Sequence, residues 1–236
     1  MGRSFERGEE AFAGSGVAVE GGEMKPDHAA RPENAGARRG DARRARMAQR
    51  FFAMILSNFI LFQIGWFACV LGGAYDLPWA GTGVALAIVA LHLVRARRRR
   101  DELTLVVIAA AIGAVFDSAL VVFGWVAYHS GTLLAGTAPH WLVAMWMLFA
   151  TTLNVSLRWL RRLPLAGAAL GAVGGPLAYW GGARLGAMEF LAPTAATVAL
   201  AIGWAVLTPC LCRLAQRFDG YPAPVAANPA VGTGDA

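Results

Sequence analysis

Long uninterrupted apolar runs are the feature that most limits what this chain can fold into. Runs of about 18 or more apolar residues predict membrane spans, because about 20 helical residues cross a hydrocarbon core of about 30 Å. Of the whole chain, 57% is apolar and 15% is charged, against roughly 25% charged residues in soluble domains. The alternating ten-residue segments of a membrane β-barrel are absent, so we predict an all-α, polytopic transmembrane helical bundle.

Six spans are predicted within a transmembrane domain that covers residues 51–216. Residues 1–50 contain few large apolar side chains and many arginines, which predicts a disordered basic tail. Residues 217–236 are expected to form a short flexible tail. The six predicted spans are 51–74, 77–94, 103–127, 139–157, 163–182 and 190–212.

The positions of the arginines predict how the bundle is oriented. After residue 42, every arginine except Arg184 lies before span one, between spans two and three, between spans four and five, or after span six. Because positive loops stay in the cytoplasm, this alternation predicts that both termini are cytoplasmic. It also accounts for the net charge of +6 without a nucleic-acid partner. The expected partners are the lipid bilayer and either a second copy of the chain or another membrane protein.

Asp117 is the most informative residue of the predicted spans. An ionisable side chain near the bilayer centre costs roughly 2.5–3.5 kcal/mol on insertion scales, so it should face the bundle interior. One interpretation is a carboxylate that handles a proton or a cation, or that takes part in catalysis. The other is a hydrogen bond between helices, for instance to Asn58, Gln63 or Asn154. Together, these four side chains would line one polar cavity.

Span five carries small residues at helical spacing. Gly167, Gly171 and Gly175 form a ridge that lets another helix approach closely, either within the chain or in a second copy. Pro176 follows the ridge and removes one backbone donor. Its effect is either a simple kink or a hinge of the kind that borders transporter binding sites.

The remaining chemistry-bearing residues do not predict a metal site or a cofactor. His92 falls near the inner end of span two, whereas His129 and His140 lie on the outer side. Cys69 is likewise separated from Cys210 and Cys212 by the length of a span. Because phosphate-binding and nucleophile-elbow motifs are also absent, we expect no cofactor and assign no catalytic residue.

Several short strings carry a resemblance to known proteins. They are Asn58…Gln63-Ile-Gly65-Trp66-Phe67, Gly113…Asp117 with Gly124, Pro139-His-Trp141…Trp146…Phe149-Ala150, and Gly174-Gly175-Pro176-Leu-Ala-Tyr179. As a set they resemble a family of small bacterial inner-membrane proteins of unknown function with about five to six transmembrane helices. The resemblance covers about residues 50–216, implies a location in the bacterial cytoplasmic membrane, and names no catalytic residue.

Three functions remain open at this point. The chain is either a small permease or proton-coupled carrier that uses Asp117, or an accessory protein or enzyme of lipid or fatty-acid modification, or a scaffold subunit of a membrane complex. In the carrier, Asn58, Gln63 and Asn154 would line the path and the break at Pro176 would act as a hinge. An enzymatic activity is the less favoured expectation.

Overall fold

The computed structural model describes residues 32–221, and this part of the chain is mostly helical. Two short strands, β1 (Val126–Tyr128) and β2 (Met188–Phe190), and a 3-10 helix at Arg158–Arg162 complete the secondary structure. The six α-helices are α1 (Pro32–Ala74), α2 (Pro78–Arg95), α3 (Arg99–Val122), α4 (His140–Leu153), α5 (Pro164–Arg184) and α6 (Pro193–Arg217).

Four of the helices are long and apolar enough to cross a membrane. They are α2, α3, α6 and the Ala42–Ala74 part of α1. Helix α5 has 21 residues, but its many glycines keep its hydropathy low. The membrane-spanning nature of the protein agrees with the prediction, whereas the count of six spans and the orientation stay predictions.

The outer surface of the bundle is apolar. Large hydrophobic side chains stand exposed on several helices, for example Phe52 (66%), Val115 (72%) and Leu165 (85%). A soluble protein rarely leaves so much apolar surface in contact with water. The exposed surface therefore fits a hydrocarbon environment around the bundle.

Helix α4 is shorter than the predicted span 139–157. It ends at Leu153, and its 14 residues extend only about 21 Å at a 1.5 Å rise. The hydroxyl groups of Thr151 and Thr152 donate to the carbonyls of Leu148 and Phe149, three residues earlier. Such bonds disturb the last helical turn, which helps explain why the chain leaves the helix before the 3-10 segment.

The chain ends also differ from the predicted boundaries. Helix α1 begins at Pro32, so its first turns occupy part of the segment for which disorder was expected; alanine and arginine, frequent there, favour helices. Residues 218–221 are not a flexible tail, because Asp219 is 8% exposed and is bonded to two arginines. Residues 1–31 and 222–236 lie outside the described part of the chain.

Prolines begin several of the helices, and helix contacts together with one strand pair hold the bundle together. Helices α2, α5 and α6 begin with proline, whose fixed φ suits the first helical turn. Helix α4 packs against α2 and α3, and α5 packs against α6. The segments after α3 and α5 pair as antiparallel strands, with Ala127 opposite Glu189. This pairing ties the α3 and α5 ends of the bundle together.

Candidate functional site

Asp117 lies on α3 and is fully buried. The indole Nε1 of Trp146, on α4, donates to its Oδ2 at 2.7 Å. The hydroxyl of Tyr179, on α5, donates to its Oδ1. One carboxyl group therefore joins three helices.

Gly113 makes room for this arrangement. It lies one turn before Asp117 on α3, and a Cβ atom at this position would overlap the ring of Trp146. Without a side chain at Gly113, the indole can lie flat against α3 and reach the carboxyl group. The ring of Trp146 also stacks on that of Trp204, with centroids 4.6 Å apart.

A small cavity adjoins the two donors of Asp117. It has a volume of about 70 Å³, and we call it the aromatic cavity because four tryptophans, two tyrosines and two phenylalanines line it. Both Trp146 and Tyr179 are among them. Tyr128 also lines this cavity, and its buried hydroxyl group has no hydrogen-bond partner among the described residues.

A larger neighbouring cavity, the side cavity, has a volume of about 390 Å³. Gln63 of α1 and Thr208 of α6 supply polar groups to its wall, and Trp66 and Trp204 line both cavities. The buried hydroxyl oxygen of Thr208 has no partner within residues 32–221. The walls of the two cavities therefore include two residues, Tyr128 and Thr208, whose buried hydroxyl groups have no partner among the described residues.

The four polar residues that the sequence predicts as one cluster are not brought together. Asn58 donates to the carbonyl of Thr151 at 3.2 Å and accepts from Ser156 at 2.7 Å. Gln63 lines the side cavity. Asn154 donates to Glu102, in a second polar site that is described below. The partners of Asp117 are aromatic side chains and not the amides that we expected.

The glycine ridge of α5 packs within the chain. A Cβ at Gly171 would meet the backbone of Trp204, and one at Gly175 would meet its ring. Gly167 is buried as well, beside Pro209 of α6. Helix α5 continues through Pro176 without a break, so the proline does not interrupt the helix.

A second polar site lies where α2 and α4 end and α3 begins, and we call this the arginine-rich end. Glu102 is fully buried there. Its Oε2 lies 2.9 Å from Nε2 of His92. Its Oε1 accepts from Asn154 at 2.6 Å and from the backbone N–H of Gly220 at 3.0 Å.

Two arginines and one aspartate extend this network. Arg158 and Arg161 both donate to Oδ2 of Asp219, at 2.7 and 3.0 Å. Arg161 also donates to the side-chain oxygen of Asn154 at 2.6 Å. The short segment after α6 is thereby held against α3 and α4.

Tyr221 closes the network beside His92. Burial, reinforced by the charge of Glu102, raises the pKa of Tyr221 to about 12, although Arg95 acts in the opposite direction. The hydroxyl therefore keeps its proton near neutral pH and donates to the carbonyl of His92 at 2.6 Å.

Sequence reasoning missed Glu102 as a site residue. Glu102 follows Asp101 after an arginine run that we used chiefly to predict the orientation of the bundle. The available signal was an acidic residue at the start of an apolar helix, together with His92 ten residues earlier. Neither residue reveals its partner without the tertiary structure.

The described residues hold no group of three histidine, cysteine, aspartate or glutamate side chains placed to bind a metal ion. Cys69, Cys210 and Cys212 are all free thiols. The polar sites thus consist of carboxyl, amide, hydroxyl, indole, imidazole and guanidinium groups.

Comparison with known proteins gives a family and no characterised relative. No curated protein and no solved structure matches the chain. A family model described as a protein of unknown function, DUF2878, matches residues 55–210, which cover most of the bundle. The chain therefore belongs to the DUF2878 family of proteins of unknown function.

Proposed function

We propose that this protein is a small proton-coupled permease in which Asp117 is the proton-binding group. One observation carries the proposal. Trp146 and Tyr179, which donate to Asp117, also line the aromatic cavity. A change in the protonation of the carboxyl group would thus act directly on two side chains of the cavity wall.

Hydrogen-bond chemistry supplies the coupling. An ionised carboxylate accepts bonds on both oxygens and can hold both donors. A protonated carboxyl group must donate its own hydrogen, so it cannot hold the same two donors equally well. Protonation of Asp117 would weaken its bond to Tyr179 or Trp146 and let that ring move. Ring movement would change the shape of the aromatic cavity.

The cavity lining favours a solute that is apolar or cationic over an anion. Aromatic ring faces attract cations and apolar groups. Within residues 32–221, no basic side chain lines either cavity. The free hydroxyl groups of Tyr128 and Thr208 offer hydrogen bonds that would position a polar group on the solute.

The proposal includes the topology predicted from the sequence. The protein would lie in the bacterial inner membrane with six spans and both termini in the cytoplasm. The short helix α4 would cross the central part of the bilayer surrounded by other helices, since nine of its residues are buried. Because α2 and α3 would shield α4 from lipid, its 14 residues would be long enough for this crossing.

Reconstitution into proteoliposomes tests the proposal. Vesicles that contain a pH-sensitive dye receive a proton gradient and a panel of organic cations, neutral solutes and anions. We expect one class of cationic or neutral solute to cause proton movement across the vesicle membrane with the wild-type protein and not with Asp117→Asn. Glu189→Gln makes the same carboxyl-to-amide change at an exposed position and should behave as wild type.

Two results would count against a permease. One is an Asp117→Asn protein that is monodisperse and retains full solute-dependent proton movement. The other is wild-type protein that moves protons with no member of the panel. Copurification of a stoichiometric membrane partner in that second case would favour the scaffold function instead.

A further inference from the structure

A groove opens at the arginine-rich end, between α1, α2 and the residues around the end of α4. Its volume is about 590 Å³, which falls within the usual range for sites that hold small organic ligands. It is separate from the aromatic and side cavities, because none of its lining residues is shared with them.

One wall of the groove is an apolar stripe of α1. Met47, Phe51, Met54 and Leu61 recur at three-, four- and seven-residue intervals, which places them on one face of the helix. The stripe runs about 21 Å along the helix axis. About half of the surface of Met47 and Phe51 is exposed, so the described residues leave this face partly uncovered.

The mouth of the groove is basic. Arg50, Arg95 and Arg97 line it and are exposed. Among the side chains that the structure describes, no carboxylate forms an ion pair with any of these three. Arg158 also lines the groove, but its charge is partly balanced by Asp219.

Hydrogen-bonding groups also line the groove. The buried ring of His92 and the side chain of Tyr221 form one side of the groove, with ring centroids 4.7 Å apart. Asn58 lies further along α1. The lining of the groove thus combines basic, hydrogen-bonding and apolar side chains.

We propose that this groove binds an anionic phospholipid. Its phosphate would contact Arg50, Arg95 and Arg97, and one acyl chain would lie along the α1 stripe. Guanidinium groups bind phosphate oxygens in bidentate fashion, and the apolar wall matches a hydrocarbon chain. A free phosphate would satisfy only the mouth, and a neutral lipid only the wall. This site does not depend on the permease proposal.

Native mass spectrometry of delipidated protein tests the proposal. Phosphatidylglycerol is titrated against phosphatidylcholine, and glycerol phosphate serves as a headgroup without acyl chains. We expect wild-type protein to bind phosphatidylglycerol more tightly than the other two. Replacing both Arg50 and Arg95 by glutamine should weaken phosphatidylglycerol binding by about 30-fold, since each arginine near an anionic headgroup contributes about one kilocalorie per mole.

A matched pair separates a built site from general attraction of a basic surface. Arg99→Gln with Arg100→Gln removes two charges from the same end, and neither residue lines the groove. This control should change phosphatidylglycerol binding by less than about twofold. All four arginines are exposed, and unchanged binding of phosphatidylcholine would verify that both variants fold.

Three results would overturn the proposal. Equal weakening by the two double variants would show that the attraction is spread over the whole basic surface. Equal affinity for phosphatidylglycerol and phosphatidylcholine would show that the arginines do not select the headgroup. Glycerol phosphate binding as tight as phosphatidylglycerol would show that the apolar stripe holds no acyl chain.

Discussion

Replacing Glu102 by alanine should destabilise the bundle strongly, because this carboxyl group satisfies three partners at a fully buried position. Glu102 is fully buried and bonded to His92, Asn154 and the N–H of Gly220. The alanine variant removes the partner of the Gly220 N–H and of the His92 Nε2 atom. It also removes one of the two acceptors of the Asn154 amide nitrogen. Each buried group that is left without a partner costs about 1–3 kcal/mol. We expect a loss of about 3–5 kcal/mol in the free energy of unfolding.

Two further variants locate the source of this loss. Glu102→Gln keeps an oxygen that can accept from Asn154 and Gly220, and its amide group stays within reach of the His92 ring, so it should cost only about 1–2 kcal/mol. Asp101→Ala removes the neighbouring carboxyl group, whose contact with Arg98 at 3.5 Å is exposed. That change should cost less than about 0.5 kcal/mol.

Unfolding in mixed micelles of increasing SDS content, followed by tryptophan fluorescence, measures these differences. The chain has eight tryptophans, and several lie in the core. The reasoning would be refuted if Glu102→Ala were as stable as Asp101→Ala. It would also fail if Glu102→Gln lost as much stability as Glu102→Ala, because the retained acceptor would then contribute nothing.

The same unfolding titration checks two other expectations. Gly175→Ala should cost about 1–3 kcal/mol of stability, because its Cβ would meet the ring of Trp204. A Cβ at Gly174 meets nothing within 4 Å, so Gly174→Ala should change stability by less than about 0.5 kcal/mol. Equal effects of the two substitutions would contradict the packing of α5 on α6. Asp219→Ala should cost about 2–3 kcal/mol, because Arg158 and Arg161 lose a charged acceptor. An unchanged midpoint of unfolding would show that the segment after α6 does not stabilise the bundle.

Much of the architecture could be predicted from the sequence because the bilayer imposes a simple rule. A helix in hydrocarbon must be long and apolar, and both properties are visible in the order of residues alone. The apolar runs accordingly anticipated helices α1, α2, α3 and α6 as membrane-spanning segments. The same rule predicted the burial of Asp117, because a carboxyl group is costly in lipid. The close-packing role of Gly171 and Gly175 followed from the absence of side chains.

The boundaries of α4 could not be predicted in this way. Hydropathy continues past Leu153, and nothing in a count of apolar residues marks the helix end. The end depends on local competition, in which Thr151 and Thr152 bond back to carbonyls of their own helix. It also depends on Asn154, whose side chain bonds to other parts of the chain instead of facing a helical neighbour.

The sequence by itself determined that the chain forms long apolar helices that can span a membrane and that Asp117 must avoid lipid, because both follow from the transfer energy of single side chains. Only the tertiary structure decided the partners of those residues. Asp117 meets Trp146 and Tyr179, and Glu102 meets Asn154, across separations of 29 to 62 residues along the chain. A hydrogen bond depends on direction and on a distance of about 3 Å, and these are set by how six helices pack. Transfer energies carry no such directional information, so the predicted single cluster gave way to two separate sites.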